Sequence, residues 1–249
     1  MEEELKQFYI DLFAPLPRCG PGSVETTRKA FSFLKSQPKD PKILDIGTGT
    51  GMSTIELAKI SDGKIIAIDI IHEYLDILKK KASINGIDNI ETVKMSMDSI
   101  EYKDETFDIL WSEGSIFVIG FEEGIKSWKR LLKPEGYLAV SDMVWFKKDA
   151  PIEVIEFWDS FYPQMLEQNE AIEMIKKYGY NLIANFKFQE DPDWWENLYI
   201  PLEKHLPEVK KKYSHKKEFL AEIEFTEQEI NFFKKYSNFY GYMFYIMQK

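Results

Sequence analysis

The chain is poor in cysteine and in histidine, and its 32 lysines and arginines are outnumbered by 42 aspartates and glutamates. Cys19 is its single cysteine among 249 residues. No internal disulfide can form, and a reducing, cytoplasmic setting is the expectation. Cys19 lies in the loop Pro17-Arg18-Cys19-Gly20-Pro21-Gly22 with no histidine near it in sequence, so a reactive thiol is not expected. The three histidines, His72, His205 and His215, lack ligand spacing, which leaves no zinc-type set and no metal as the reading. No apolar run is long enough to cross a bilayer, and Met1–Ile10 does not read as a secretory leader, so no membrane partner is expected. The net charge of −10 disfavours the phosphate-neutralising contacts on which nucleic-acid binding depends. The lysine-rich stretch Lys204–Lys217 reads as a solvated helical face, and nucleic acid is not an expected partner.

What is present starts with Lys42-Ile43-Leu44-Asp45-Ile46-Gly47-Thr48-Gly49-Thr50-Gly51. An apolar strand ends beside a carboxylate and breaks into three glycines at alternate positions, and Met52–Lys59 then reads as a helix. Strand, glycine turn and helix start make a nucleotide-binding loop, because without Cβ atoms the backbone turns sharply and comes close to a ligand. A second buried strand, Lys64–Asp69, also ends in a carboxylate, at the place where an acidic residue hydrogen-bonds ribose hydroxyls. Ile70 and Ile71 follow and are positioned to cover one face of a purine. After the helix His72–Ile84 and the turn Asn85-Gly86, a third strand, Ile90–Met95, leads to Met97-Asp98. A plain reading of Asp98 is a helix cap before Ser99-Ile100.

The pattern G-x-G-x-G differs from the nicotinamide fingerprint G-x-G-x-x-G, whose last position is held by Met52. It resembles the first motif of class I S-adenosylmethionine-dependent methyltransferases. Asp45 suits that cofactor, since a carboxylate attracts an ammonium or sulfonium and would repel a pyrophosphate. Phe107-Asp108-Ile109-Leu110, a helix with Trp128-Lys129-Arg130-Leu131-Leu132, and Lys133-Pro134-Glu135-Gly136 before a fifth strand, Tyr137–Asp142, follow the order that class I methyltransferases show. The run Trp111-Ser112-Glu113-Gly114 through Phe121-Glu122-Glu123-Gly124 is similar to an uncharacterised small-molecule subgroup of the methyltransferase type 11 kind. Gly20-Pro21-Gly22-Ser23, Trp145-Phe146 and Tyr240–Lys249 add to that likeness. The slot after the fourth strand holds Trp111-Ser112-Glu113-Gly114 in place of the N/D-P-P-Y signature of enzymes that methylate DNA bases.

The resemblance implies an α/β, Rossmann-like seven-stranded sheet of order 3-2-1-4-5-7-6 with the last strand antiparallel. It also implies one domain over residues 1–249, with an N-terminal lid in 1–37, a cofactor core in 38–146, and substrate-side helices and closing strands in 147–249. Glu2–Leu12 and Val24–Gln37 are expected as the leading helices. Pro151–Leu166 and Glu170–Tyr178 follow as helices, Asn181–Phe188 as a strand, Pro192 to about Phe239 as a helical insertion, and Gly241–Met247 as the last strand. The cofactor S-adenosylmethionine would meet Asp45, Gly47, Thr48, Gly49, Gly51, Asp69, Ile70, Met97, Asp98 and Ser112, with Arg18 and Gly22 from the leading loop. Methyl transfer is an in-line displacement in which positioning supplies much of the acceleration. Glu113 is the candidate to orient or deprotonate a small-molecule acceptor, with Trp111, Trp145 and Asp142 on the acceptor side. Trp158, Trp194, Trp195 and Tyr199 with Glu153 and Glu156 extend an aromatic and acidic lining that favours an amine-bearing acceptor. A homodimer is open. The alternatives are an S-adenosylmethionine-binding enzyme of other chemistry and a module that senses the cofactor; a nicotinamide dehydrogenase stands last.

Overall fold

A computed structural model describes residues 2–249 of the chain. Seven strands form one sheet: β1 Lys42–Ile46, β2 Lys64–Asp69, β3 Ile90–Lys94, β4 Phe107–Glu113, β5 Leu132–Trp145, β6 Asn181–Lys187 and β7 Tyr240–Gln248. Their order is β3-β2-β1-β4-β5-β7-β6, with β1 to β5 parallel and β7 antiparallel to both its neighbours. Helices cover both faces, so β1, β2, β4 and β7 are buried almost along their whole length.

The period-2 alternation of the strands sorts their side chains into two cores. Ile43, Ile109, Trp111, Ala139 and Phe244 point to one face, where they meet Phe8, Leu57, Leu202 and Phe233. Leu44, Leu110, Leu138, Val140 and Tyr245 point to the other, against Ile125, Trp128 and Ile175. The helices are α1 Glu2–Phe13, α2 Val24–Phe31, α3 Met52–Ile60, α4 His72–Ile84, α5 Phe121–Trp128, α6 Ile152–Phe161, α7 Gln168–Lys177, α8 Ile200–Lys212 and α9 Lys217–Tyr236. A wide, irregular helical segment, Glu190–Tyr199, precedes α8. This segment, α8 and α9 are the helical insertion before the last strand. Trp194 stacks on Phe233 of α9 at 4.1 Å, and Phe8 of α1 stacks on Phe219 at 5.0 Å, which joins the chain's first helix to the insertion.

Several boundaries differ from expectation, among them α6, which ends at Phe161 rather than Leu166, and β5, which runs on to Trp145 rather than ending at Asp142. α2 stops at Phe31 rather than Gln37, because the chain turns there to bury Leu34, and the Ser36 N–H donates to the Tyr137 hydroxyl. Lys133–Gly136 is not a free turn but part of β5, which pairs with β4 across an irregularity between Phe107 and Ile109.

Candidate active site

The glycine loop leaves β1 at Ile46 and runs directly into α3. The N–H groups of Gly47 and Thr48 donate to the Ile68 carbonyl at 2.9 and 3.1 Å, which ties the loop to β2. Gly47 has φ +71°, and a Cβ there would overlap the Ser115 side chain. Gly51 has φ +83°, and a Cβ would overlap Leu78 of α4, so this third glycine serves the close packing of α3 on α4. Asp69 closes the loop from the end of β2. Its Oδ2 accepts the Gly49 N–H at 2.8 Å and its Oδ1 accepts the Ile71 N–H at 2.9 Å. Burial pushes its carboxyl above the ordinary range, opposed by these backbone donors.

Beyond Asp69 the surface opens. Ile70 is 63 % exposed. Met97 is half-buried, its carbonyl accepting the Trp128 indole N–H at 2.9 Å. Asp98 is exposed and accepts from Ser99, and no helix follows it, so the helix-cap reading is replaced by a loop carboxylate. Met97, Asp98 and Trp128 line a groove of about 270 Å³.

Asp45 differs from the sequence-based expectation. Only 1 % exposed, it lies under the loop and accepts the Thr54 hydroxyl at 2.6 Å, while Thr54 also meets Thr48. Burial pushes its carboxyl up to about 7, against the pull of these hydroxyls. Its carboxyl therefore braces the loop from below instead of facing a ligand's cation.

Glu113 stands at the end of β4. Its Oε2 pairs with Arg18 Nη2 at 2.5 Å, and its Oε1 accepts from the Thr27 hydroxyl at 2.7 Å and the Trp111 indole at 2.9 Å. Both carboxylate oxygens are thus engaged within the protein. Trp111, fully buried between Phe31 and Phe244, is a core residue and not a pocket wall. Trp158, Trp194 and Tyr199 are likewise core aromatics. Ser112 is buried, with its hydroxyl 2.7 Å from that of Ser115.

The leading loop lies over the glycine loop. Cys19 approaches the Thr50 hydroxyl, and burial pushes its thiol up. Arg18 is 7 % exposed, and its Nη1 is buried without a partner. The Gly22 N–H donates to the Asp193 carbonyl at 2.9 Å, and the Asp193 carboxylate accepts from Thr26 at 2.7 Å and from the Gln189 N–H at 2.7 Å. Ser23 caps α2, accepting the Thr26 N–H. The insertion and the leading loop are thus clasped together above the sheet.

On the acceptor side, Asp142 is 2 % exposed and its Oδ2 accepts the Tyr162 hydroxyl at 2.8 Å. Trp145, partly buried at the end of β5, packs edge-on against Tyr240 at 6.0 Å. Sequence reasoning missed Thr27, Tyr162, Asp193 and Glu229. The signal for Glu229 lies in α9, where Thr226, Glu229 and Phe233 follow helical spacing and put a carboxyl on the inward stripe.

Residues 38–205 match the family Methyltransf_31, described as a methyltransferase domain. The demethylmenaquinone methyltransferase of Chlorobaculum tepidum is 33 % identical over 116 residues, covering 45 % of each chain. The phosphoethanolamine N-methyltransferase of Triticum aestivum is 26 % identical over 205 residues, covering 81 % of this chain and 38 % of that protein. The chain thus spans less than half the length of these curated relatives. The S-adenosylmethionine-dependent methyltransferase of Geobacter sulfurreducens, solved with S-adenosylhomocysteine, superposes with a TM-score of 0.75 at 16 % identity and covers 92 % of both chains. With the strand order, the glycine loop and the family match over most of its length, the chain belongs to the methyltransferase-domain family Methyltransf_31, with the class I fold and S-adenosylmethionine as cofactor.

Proposed function

We propose that the protein transfers the methyl group of S-adenosylmethionine to a small-molecule acceptor, the whole chain acting as one catalytic unit. The observation that carries this reading is the clamp of Asp69 on Gly49 and Ile71, beside a buried guanidinium with an unpartnered nitrogen. The donor set fits the cofactor. Asp69 retains lone pairs for the two ribose hydroxyls, and Ile70 and Met97 offer apolar surface to the adenine. Asp98 offers an acceptor for its amino group. The backbone of Gly47, Thr48, Gly49 and Gly51 lies against the methionine arm, and Arg18 Nη1 is the group for its carboxylate. Gly22 and Ser112 border the same space. Bound, the cofactor supplies an electrophilic methyl on a sulfonium, so positioning dominates what the protein contributes.

Glu113 acts in this reading as a positioning residue that holds Arg18. Thr27 and Trp111 both donate to its Oε1 and so fix its rotamer, which leaves Oε2 to hold the guanidinium. Calorimetric titration with S-adenosylmethionine, S-adenosylhomocysteine and NAD tests the assignment. Micromolar binding of the first two, lost in Asp69→Ala and weakened at least about tenfold in Arg18→Gln, is expected. Binding of NAD alone overturns it. Binding of the cofactor without turnover on any acceptor would shift the reading to a cofactor sensor.

A further inference from the structure

Two separate parts of the chain hold the Arg18 guanidinium. One is Glu113 at the end of β4, which takes its Nη2. The other is the backbone of Gly22. A Cβ added there would stand 2.6 Å from Nη2 and 2.8 Å from Cζ, and φ is +138°. The Gly22 backbone therefore lies directly against the guanidinium, in a conformation and a space that suit glycine.

Gly22 itself is held from the helical insertion. Its N–H donates to the Asp193 carbonyl at 2.9 Å, and its carbonyl accepts from the Asn197 side-chain amide at 3.2 Å. The same amide nitrogen donates to the Pro192 carbonyl at 3.0 Å and so bridges the two segments. The Asp193 side chain has no exposed surface and also joins them: Oδ1 accepts the Thr26 hydroxyl at 2.7 Å, and Oδ2 accepts the Gln189 N–H at 2.7 Å. Thr26 and Thr27, neighbours in the first turn of α2, thus bond to two acids, Asp193 from the insertion and Glu113 from the sheet.

An arginine that grips a ligand ordinarily gives up rotamer freedom on binding, and one held in place beforehand does not. Arg18 is held in this way, with Nη2 engaged and Nη1 buried without a partner. A buried donor left unsatisfied is costly, and it stays available to an anion. A clasp that only joined the insertion to the leading loop would need no approach to Arg18. The contact at Gly22 supplies one.

We propose that Asp193 and Asn197 are positioning residues for the methionine arm of the cofactor: through Gly22 they set where the Arg18 guanidinium stands, and Arg18 Nη1 donates to the arm's carboxylate. The proposal rests on the methyl-transfer reading and deepens it, since it makes the insertion part of what recognises the cofactor. Asp193 and Asn197 act through Arg18 alone, so their influence is confined to the carboxylate end of the ligand. Adenine and ribose are met by other elements, at Met97, Asp98 and Asp69.

The test is calorimetry with the full chain, comparing S-adenosylhomocysteine with 5′-methylthioadenosine, which keeps the adenosine and the sulfur and lacks the carboxylate and ammonium. Asp193→Asn keeps the side-chain volume and turns an amide N–H toward one of the two donors, Thr26 or Gln189. It is expected to weaken S-adenosylhomocysteine by about tenfold and 5′-methylthioadenosine by less than about twofold. Asn197→Ala, at a partly buried position, is expected to act in the same direction by about threefold or more. Thermal unfolding checks that each variant is folded, and Asn197→Ala decides the matter if Asp193→Asn is not. In an Arg18→Gln background Asp193→Asn is expected to cost less than about twofold further, because the group that it positions is gone. Parallel loss of both ligands, unchanged affinity for S-adenosylhomocysteine in both variants, or full additivity with Arg18→Gln overturns the proposal while the cofactor reading stands. If S-adenosylhomocysteine fails to bind the unaltered protein, the methyl-transfer reading falls and the positioning role with it.

Discussion

Replacing Asp142 by asparagine is expected to stabilise the protein markedly more at pH 8 than at pH 5. The Asp142 carboxyl is 2 % exposed, and the titratable groups facing it are Tyr162, Tyr242 and Tyr245, none of which carries positive charge. Burial moves it from an ordinary 3.8 up to about 7, so folding disfavours its ionised form. At pH 8, above both values, the charged carboxylate costs on the order of 4 kcal/mol. As pH falls through about 7 the native state takes up the proton, and by pH 5 only about 1.5 kcal/mol remains. The sign follows from proton counts: between the two values the folded state binds the proton and the unfolded state does not, so stability falls as pH rises. Asparagine keeps the acceptor for the Tyr162 hydroxyl and has no charge to bury. Asp45 and Glu229 titrate in the same window but are common to both proteins, so they cancel in the difference. Urea unfolding of both proteins at pH 5 and pH 8 reads the effect directly. Converted to melting temperature at pH 8, the gain is on the order of 10 °C for a chain of this size. An advantage for the Asp142→Asn variant that is the same at both pH values, or a loss of stability at pH 8, would refute the argument that Asp142 is a buried carboxyl without a counter-charge.

Two further outcomes are expected. Gly51→Ala combines φ +83° with overlap on Leu78, and should lower stability by about 2–4 kcal/mol in urea unfolding, whereas Gly86→Ala, where a Cβ meets nothing, should cost only the backbone part of about 1–2 kcal/mol. Cys19, its thiol pushed up by burial where the leading loop meets the glycine loop, should react with a thiol reagent at neutral pH at least about tenfold more slowly in the folded protein than in denaturant; equal rates would show that this contact does not shield it.

Much of the cofactor side was legible in the sequence, for a local reason. β1, its glycines, α3, β2 and Asp69 occupy one continuous stretch, and α4 runs from His72 to Ile84 as its apolar spacing predicts. A strand ending in a turn that needs positive φ leaves its mark in adjacent residues, so Gly47 and Gly51 declare the loop without reference to the rest of the molecule. The acceptor side was legible only as composition. Tryptophans and carboxylates were evident, but Trp111, Trp158 and Trp194 fill the core, because a large ring is placed by whatever packs across from it. The α2 boundary was misread for the same reason: the turn after Phe31 answers to Tyr137 of β5, 101 residues on from Ser36.

By itself, the sequence wrote the glycine loop in adjacent residues, and the resemblance of its motifs to class I methyltransferases implied the class of fold and the strand order. The tertiary structure decided what each charged group does. Glu113 meets Arg18 from 95 residues away and Thr27 from 86, contacts that no local pattern announces. Asp45 is turned under its own loop by Thr54. Asp142 and Glu229 accept from the hydroxyls of Tyr162 and Tyr199, 20 and 30 residues away. A carboxylate's chemistry depends on its desolvation and its partners, and those are fixed only when the chain has closed on itself.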